Sequence, residues 1–287
     1  MIRPLLFLAI VNLLSMPRLC NAEGENWRSR ASNEVTITAA DITEEINIGR
    51  AVAAKILGKK SSLDDTALTR YVSLVGSTLA LNINRPELEF HFAILNTEEL
   101  TSYATPGGYI FISLGALKLI QDEAELAGIL AHEVAHVMNR DIVKVLKLKE
   151  PEVVSSIAML VSGSFNAIHA ALQANKNSGT TPAAFNNAVH KGFELIYGNA
   201  YKTEDEGQAD KDAVNICILS GYDPAGLIRY LSRIKQIQAP ATMPDQTHFF
   251  SDSRISHLNA VIAAENFSDV VLEKYSSRFT ENMTDVK

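Results

Sequence analysis

A short apolar segment that holds two histidines constrains the fold of this chain more than any other feature. Residues 128–141 read GILAHEVAHVMNRD, which places His132, Glu133 and His136 among apolar neighbours. On a helix, histidines four residues apart lie on the same face about one turn apart, so both imidazoles can reach one ion. Burying these groups costs desolvation free energy unless an ion or polar partners satisfy them. The segment therefore predicts a helix that binds a single zinc ion, and the alternative is a hydrogen-bonded pair of core histidines.

A catalytic zinc site also needs a third protein ligand. The acidic candidates lie in the segment TEDEGQADKDA at residues 203–213, where Glu206 and Asp210 are four residues apart on a predicted helix. Acidic runs more often face solvent than bind a metal. The spacing alone leaves open which of these carboxylates, if any, is the third ligand.

Periodicity predicts a mostly helical α+β fold around the histidine-bearing helix. Asp122 and Glu125 have the spacing of a capping box, which indicates that this helix begins at Asp122. Residues 88–96 alternate apolar and polar side chains, as a half-buried strand does, and a Pro-Gly-Gly turn precedes a second strand at 109–113. These strands predict a small sheet. The other predicted helices cover residues 42–60, 64–83, 151–174, 183–221 and 223–237.

The first 22 residues have the features of a cleaved secretory signal. Arg3 provides a short positive region, residues 5–14 are apolar, and a small-x-small site follows. The apolar run is about half of the roughly 20 residues that a membrane span requires. We therefore expect a signal peptide followed by a mature chain at 23–287, and the alternatives are a retained anchor and a lipid-modified Cys20.

Composition limits the compartment and the partners of the mature chain. Cleavage would leave Cys217 as its only cysteine, and an exported chain without disulfides suits a bacterial periplasm. The net charge of −7 provides no basic surface of the kind that nucleic acids need. Residues 151–174 are apolar but interrupted by polar side chains, so we expect a buried or groove-lining helix, with peripheral membrane contact as the alternative. No repeat or long linker interrupts residues 23–287, which predicts a single domain.

Three separated motifs resemble those of one peptidase family. They are SYATPGGYIFIS at 102–113, DEAELAGILAHEVAHV at 122–137 and EGQAD at 206–210. They occur in the order found in the gluzincin metallopeptidases related to the CaaX prenyl protease and to HtpX, and in particular in the soluble periplasmic branch typified by the β-barrel assembly-enhancing protease. The resemblance implies a zincin-like metalloprotease domain that hydrolyses peptide bonds with the help of zinc.

The resemblance also implies roles for individual residues. His132, His136 and Glu206 would bind the zinc ion, since Glu206 is the first residue of the family's ExxAD pattern. Glu133 would be the general base that takes a proton from the attacking water and returns it to the leaving amine. Asp210 would orient one of the ligand histidines, as the partners of metal ligands commonly do.

The strand at residues 109–113 resembles the exposed edge strand that pairs with an extended peptide in this family. Gly108, Tyr109, Ile110 and Phe111 are therefore expected to bind substrate, and the alternative is an interior strand of the sheet. Backbone pairing tolerates many sequences but needs an extended chain. The expected substrate is an unfolded or loosely structured polypeptide.

His248 and Arg254 lie in a segment that resembles the Thr-His-Pro and Ser-Arg-Ile pattern of relatives, in which the histidine lies close to the metal, and both residues are expected to be catalytic. The relatives read Thr-His-Pro around the histidine, whereas this chain has Phe249 in place of the proline, so a surface loop histidine is the alternative for His248. Relatives often carry a histidine at the position of Asp141. Here Arg140 and Asp141 are expected to form a surface pair.

The biological role follows from the resemblance alone. It implies quality control of misassembled exported or membrane proteins in the periplasm, with the outer-membrane assembly machinery or a separate adaptor protein as a partner. One alternative is a chaperone-like or latent peptidase that binds extended chains with little cleavage, and another is a peripheral membrane binder. Glu133 argues against a pure binding module, which has no need of the base.

Overall fold

The computed structural model describes residues 37–146, 181–198, 203–238, 252–264, 272–284 and 286. Its elements are α1 Ala39–Lys59, α2 Thr66–Ala80, β1 His91–Leu95, β2 Ser102–Thr105, β3 Tyr109–Ser113, α3 Leu114–Leu119, α4 Glu123–Asn139, α5 Asp141–Leu146, α6 Thr181–Tyr197, α7 Thr203–Leu219, α8 Gly226–Gln238, α9 Asp252–Ala264 and α10 Ser276–Asn282. This architecture confirms the mostly helical α+β fold with a small sheet. Within these ranges no helix combines the length and apolar character that crossing a bilayer requires. The expected signal peptide, residues 151–174 and His248 lie outside the described residues.

Three strands form the sheet, and the middle one is the strand that was expected at the edge. The order is β1-β3-β2, with β1 parallel and β2 antiparallel to β3. Gly107 and Gly108 have φ angles of 76° and 93°, which glycine adopts without steric cost, and their turn folds β3 back along β2. The prediction of an exposed edge strand at Tyr109–Ser113 is therefore wrong, because both of its sides are paired. Its side chains enter the core on both faces, Ile110 on one and Phe111 on the other.

Helix α4 lies at the centre of the described structure. Asp122 is its N-cap, since its Oδ1 accepts a 2.9 Å hydrogen bond from the backbone N–H of Glu125, as the sequence predicts. The helix contacts α2, α7, α8 and the strands β2 and β3. Every residue from Glu123 to Met138 is buried. A helix enclosed on all sides holds its side chains in fixed directions, which matters for the ionisable residues that it carries.

Glu44 of α1 is a buried carboxyl group that belongs to no predicted site. Its side chain is 3% exposed, and its Oε1 atom has no hydrogen-bond partner among the described residues. Burial, and then the nearby charge of Asp41, raise the pKa of Glu44 from 4.5 to about 7. The folded protein thus holds a proton on Glu44 that the unfolded chain releases near pH 4.5. The stability from this proton is complete below pH 4.5 and is lost as the pH rises from there through 7.

Replacing Glu44 by Gln removes this ionisation and should stabilise the protein at alkaline pH. We expect the free energy of unfolding of Glu44→Gln to exceed that of the unmutated protein by about 2 to 3 kcal/mol at pH 8, and the difference to shrink towards zero near pH 4.5. Urea denaturation of both proteins at several pH values measures it, with Glu194→Gln at an exposed site of α6 as the control. A difference that stays constant with pH would contradict the assignment.

Candidate active site

Helix α4 holds two histidine rings next to each other in the protein interior. His132 and His136 are each 3% exposed. Their Nε2 atoms are 3.1 Å apart, and their ring planes are inclined by 88°. Two Nε2 atoms this close face a common position, so the one-turn spacing brings the imidazoles together as the sequence predicts.

Glu206 of α7 joins the two histidines. Its Oε2 lies 3.4 Å from Nε2 of His132, and its Oε1 lies 3.6 Å from Nε2 of His136. One ligand atom from each of the three residues can be chosen so that all lie within 4.8 Å of one another. Ala209 and Ala213 are fully or almost fully buried on the same helix, and their small side chains allow α7 to pack closely on α4. The structure therefore brings together the three residues expected to bind zinc.

The second nitrogen of each imidazole contacts a carboxylate. Oδ1 of Asp210 lies 2.9 Å from Nδ1 of His132, and Oδ2 of Asp141 lies 2.8 Å from Nδ1 of His136. An acceptor at Nδ1 favours the tautomer that keeps the proton there and leaves the Nε2 lone pair available to a metal. With the carboxylate of Glu206, the donor set consists of two imidazoles and one carboxylate, which fits a zinc ion.

The charges around the histidines favour a cation. Burial acts to lower the pKa of His136, but its interactions with Asp141 and Glu206 raise that pKa to about 10. Burial acts to raise the pKa of Asp210, whereas Arg254 and His132 lower it to about 2. The carboxylates of Asp141 and Glu206 therefore stabilise positive charge at His136, where a metal ion would compete with a proton.

Arg254 of α9 lies inside the site, next to Asp210. Its Nε donates a 2.7 Å hydrogen bond to Oδ2 of Asp210, and its Nη2 donates another of 2.7 Å to Oδ1 of the same carboxylate. Nη2 is also 3.1 Å from Nδ1 of His132, and Nη1 is 3.7 Å from Oε2 of Glu206. Burial acts to lower the pKa of the Arg254 guanidinium, but Asp210 and Glu206 raise it above its usual value. A guanidinium held in this way fixes Asp210 against His132.

Asp141 lies in the protein interior and not on the surface, where it was expected. Arg140 and Asp141 were expected to form a surface pair, but Asp141 is 2% exposed and contacts His136. Arg140 has a left-handed backbone with φ of 57° and forms a 3.0 Å ion pair with the buried Glu45. The prediction of a surface pair is therefore wrong, because the chain turns back towards the helix at Arg140 instead of leaving it.

Glu133 contacts a strand residue that sequence reasoning missed. The hydroxyl of Ser102 on β2 donates a 2.6 Å hydrogen bond to Oε1 of Glu133, which is fully buried. Ser102 is the first residue of the motif SYATPGG, so the motif marked its segment but not its side chain. The contact places β2 next to the expected general base.

The structure places the four residues predicted to bind substrate on the central strand or in the turn before it. Gly108 lies in the turn, while Ile110 and Phe111 are core residues with 1% and 3% exposure. The hydroxyl of Tyr109 accepts a 3.1 Å hydrogen bond from Nε of Arg50. Since β3 is not an edge, the reason for assigning these residues to a substrate no longer holds.

Sequence comparison agrees with this geometry. Residues 66–262 match the profile of Peptidase family M48, which covers the sheet, α4, α7 and most of α9. The chain belongs to Peptidase family M48. It is 26% identical over 221 residues to the β-barrel assembly-enhancing protease of Yersinia pestis, and 22% identical over 218 residues to that of Escherichia coli (strain K12). Each match covers 75% of this chain and 43% of the relative, so the chain spans less than half of the length of these curated relatives.

As a member of Peptidase family M48, this chain is a metallopeptidase. The group His132, His136 and Glu206 is the candidate metal site of the family in this chain, because it unites separated segments that all lie within the matched region. Glu133 follows His132 on the same helix and belongs to the same region. The family and the geometry thus indicate the same helix as the centre of the site.

Proposed function

We propose that this chain is a zinc-dependent endopeptidase of the cell envelope that hydrolyses unfolded or misassembled exported and membrane proteins. The observation that carries the proposal is the convergence of His132, His136 and Glu206 beside Glu133. A single zinc ion held by the three ligands would act as a Lewis acid, polarising a carbonyl and making a water molecule more acidic.

Residues of the chain itself supply the proton transfers and the positioning. The carboxylate of Glu133 accepts a proton from the attacking water and later donates it to the amine that leaves the cleaved bond. The hydroxyl of Ser102 holds Oε1 of Glu133, which restricts the direction of the carboxylate. Asp210 and Asp141 orient the two imidazoles through Nδ1. Arg254 supports the orientation of His132 by fixing Asp210. We further propose that Arg254 and His248 contact the reacting bond directly.

The substrate backbone would extend along β2. This strand lies at one end of the strand order, and Ser102 on it contacts the general base. A peptide that pairs with a strand is recognised through its backbone, so the site would accept many sequences but only extended chains. A folded protein offers no such segment, and this restriction suits an enzyme that removes misfolded chains.

The proposed location is the periplasm, and residues 23–287 are proposed to form one domain. The location is supported by the signal-like residues 1–22. The relatives in Yersinia pestis and Escherichia coli are named for the assembly of β-barrels, so we propose contact with the outer-membrane assembly machinery or with a separate adaptor. Any membrane contact would be peripheral, through residues 151–174. The acidic composition argues against a nucleic-acid partner.

Zinc content and hydrolysis measured together test the proposal. We expect about one zinc ion per purified chain. We also expect cleavage of an unfolded protein such as casein, no cleavage of a stably folded protein of similar size, and loss of cleavage when a chelator removes the zinc. Zinc without cleavage of casein would instead favour a chaperone-like or latent protein. Absence of zinc would contradict the proposed site itself.

A further inference from the structure

We propose that a buried ionic cluster of Glu45, Arg85 and Arg140 positions Asp141 against His136 and thereby sets the affinity of the site for zinc. This inference rests on the proposed metal site and concerns residues that contact neither the metal position nor the reacting bond. The cluster joins α1, the loop after α2 and the end of α4.

The cluster places a carboxylate between two guanidinium groups in the interior. Glu45 is 0% exposed, and each of its oxygens lies 3.1 Å from Nη2 of Arg85. Its Oε2 is also 3.0 Å from Nη2 of Arg140. Arg85 also forms an ion pair with Glu87, which lies partly exposed outside the cluster. A buried charge set of this kind is stable only when the geometry satisfies each member, which makes the arrangement rigid.

The same cluster holds the carboxyl end of helix α4. Nη1 of Arg85 donates a 3.0 Å hydrogen bond to the carbonyl of Val137, the residue that follows His136. The backbone N–H of Arg140 also donates to the carbonyls of His136 and Val137. A cation is favourable at a helix carboxyl end, where the last carbonyl groups have no partner within the helix. The ring of His136 therefore projects from the last turn of a helix whose end is fixed by Arg85.

The backbone of Arg140 directs the next residue to the metal ligand. Its φ of 57° lies in the left-handed region, which is unfavourable for a residue with a side chain. Such a conformation persists when surrounding contacts hold it, and here the ion pair with Glu45 does so. The left-handed residue reverses the chain direction, so Asp141 begins α5 with its carboxylate 2.8 Å from Nδ1 of His136.

Asp141 is thus the link between the cluster and the site. Its Oδ2 contacts His136, and its Oδ1 lies 3.5 Å from Nζ of Lys144, whose side chain is exposed. A carboxylate at Nδ1 fixes the ring orientation and raises the basicity of the ligand nitrogen, and loss of such a partner commonly weakens metal binding by about 10- to 100-fold. A shift of Asp141 would release the ring of His136 even though the ring itself is unchanged.

Two substitutions separate positioning from general support of the fold. Arg140→Gly removes the ion pair with Glu45, and because glycine adopts left-handed and other backbone conformations equally readily, the turn at this position is no longer held in one state. Asp141→Asn keeps the shape of the side chain and removes its charge. Glu194→Gln, at the exposed His190 and Glu194 pair on α6, is the matched control for loss of a carboxylate. All variants are made in the full chain.

The experiment measures the affinity of each protein for Zn²⁺ by competition with a chelating dye, together with the visible absorption spectrum of the Co²⁺ form. We expect Asp141→Asn to bind Zn²⁺ about 10- to 100-fold more weakly, and Arg140→Gly about 3- to 10-fold more weakly, with an altered Co²⁺ spectrum in both. The control should match the unmutated protein. If Arg140 acts through Asp141, the double variant should bind Zn²⁺ no more weakly than Asp141→Asn alone.

The outcomes distinguish this inference from the proposed function. If the unmutated protein binds Zn²⁺ and Asp141→Asn binds it equally well with the same Co²⁺ spectrum, the role of Asp141 is overturned and the metal site stands. If Arg140→Gly lowers the melting temperature of the metal-free protein but leaves the affinity and the spectrum unchanged, the cluster supports only the fold. If the unmutated protein binds neither Zn²⁺ nor Co²⁺, the proposed metal site is contradicted, and with it both the proposed function and this inference.

Discussion

Glu133→Gln retains bound zinc but loses hydrolysis of unfolded casein, with a rate decrease of at least about 10²- to 10⁴-fold, the usual contribution of a general base. The amide of glutamine has nearly the shape of the carboxylate but cannot accept the proton of the attacking water. The ligands His132, His136 and Glu206 are unchanged, so zinc binding should survive. The hydrogen bond from Ser102 can still be formed with the amide oxygen, which keeps the side chain in place.

Zinc content and casein cleavage, measured on the same preparations, check this result. Glu194→Gln makes the same chemical change on the surface of α6 and should leave both quantities as they are. Cleavage by Glu133→Gln at the unmutated rate would remove Glu133 from the mechanism. Loss of zinc from this variant would instead indicate that Glu133 helps to hold the metal.

Glu206→Ala should lose the metal itself. Truncation leaves two imidazoles and removes the oxygen donor that lies 3.4 Å from Nε2 of His132. Losing a direct ligand should cost more affinity than losing a partner of a ligand, so we expect Zn²⁺ binding to weaken by more than about 100-fold. Hydrolysis should disappear together with the zinc, in contrast to the effect of Glu133→Gln.

The neighbouring Glu204 provides a close control for this variant. It lies two residues earlier on the same helix and is exposed, so Glu204→Ala should retain both zinc and activity. Zinc content and dye competition on the two alanine variants give the comparison. Unchanged zinc stoichiometry in Glu206→Ala would move the third ligand to Glu204, Asp205 or Asp210.

The features that could be predicted from the sequence are those with local signals. The N-cap at Asp122 needs only the side chain and the first turn of its own helix, and the one-turn spacing of His132 and His136 follows from helix geometry. The third metal ligand has no such local signal, because the spacing of the acidic residues leaves several candidates. The family resemblance selected Glu206, and the packing of α7 on α4 places it at the histidines.

The position of β3 in the sheet depended on pairing that no local pattern determines. One signal was nevertheless available. Residues 110–112 are all apolar, as in a strand that is buried on both faces, whereas an edge strand with one solvated face alternates apolar and polar residues. The continuous run thus favours the interior position that the structure shows, whereas the family resemblance favours an edge strand.

The role of Asp141 could not be predicted, because it depends on how a helix ends. Helices commonly end with a glycine in the left-handed conformation, and here Arg140 adopts it instead. The contact that holds Arg140 in this state comes from Glu45, which is 95 positions earlier in the sequence. In the sequence, Arg140 and Asp141 are simply two adjacent charged residues, and such residues usually lie on the surface.

The contact between Arg254 and His132 joins residues that are 122 positions apart. Ribosomal synthesis produces α4 before α9, so for a time the histidines exist without the helix whose Arg254 holds Asp210 in place. Metal binding and folding are coupled when the ligands come from distant segments. The metal ligands and the residues that orient them are therefore assembled only after α9 has packed against α7. Under the proposed function, completion of the tertiary structure would separate synthesis of the chain from its activity, as removal of an inhibitory propeptide does in other proteases.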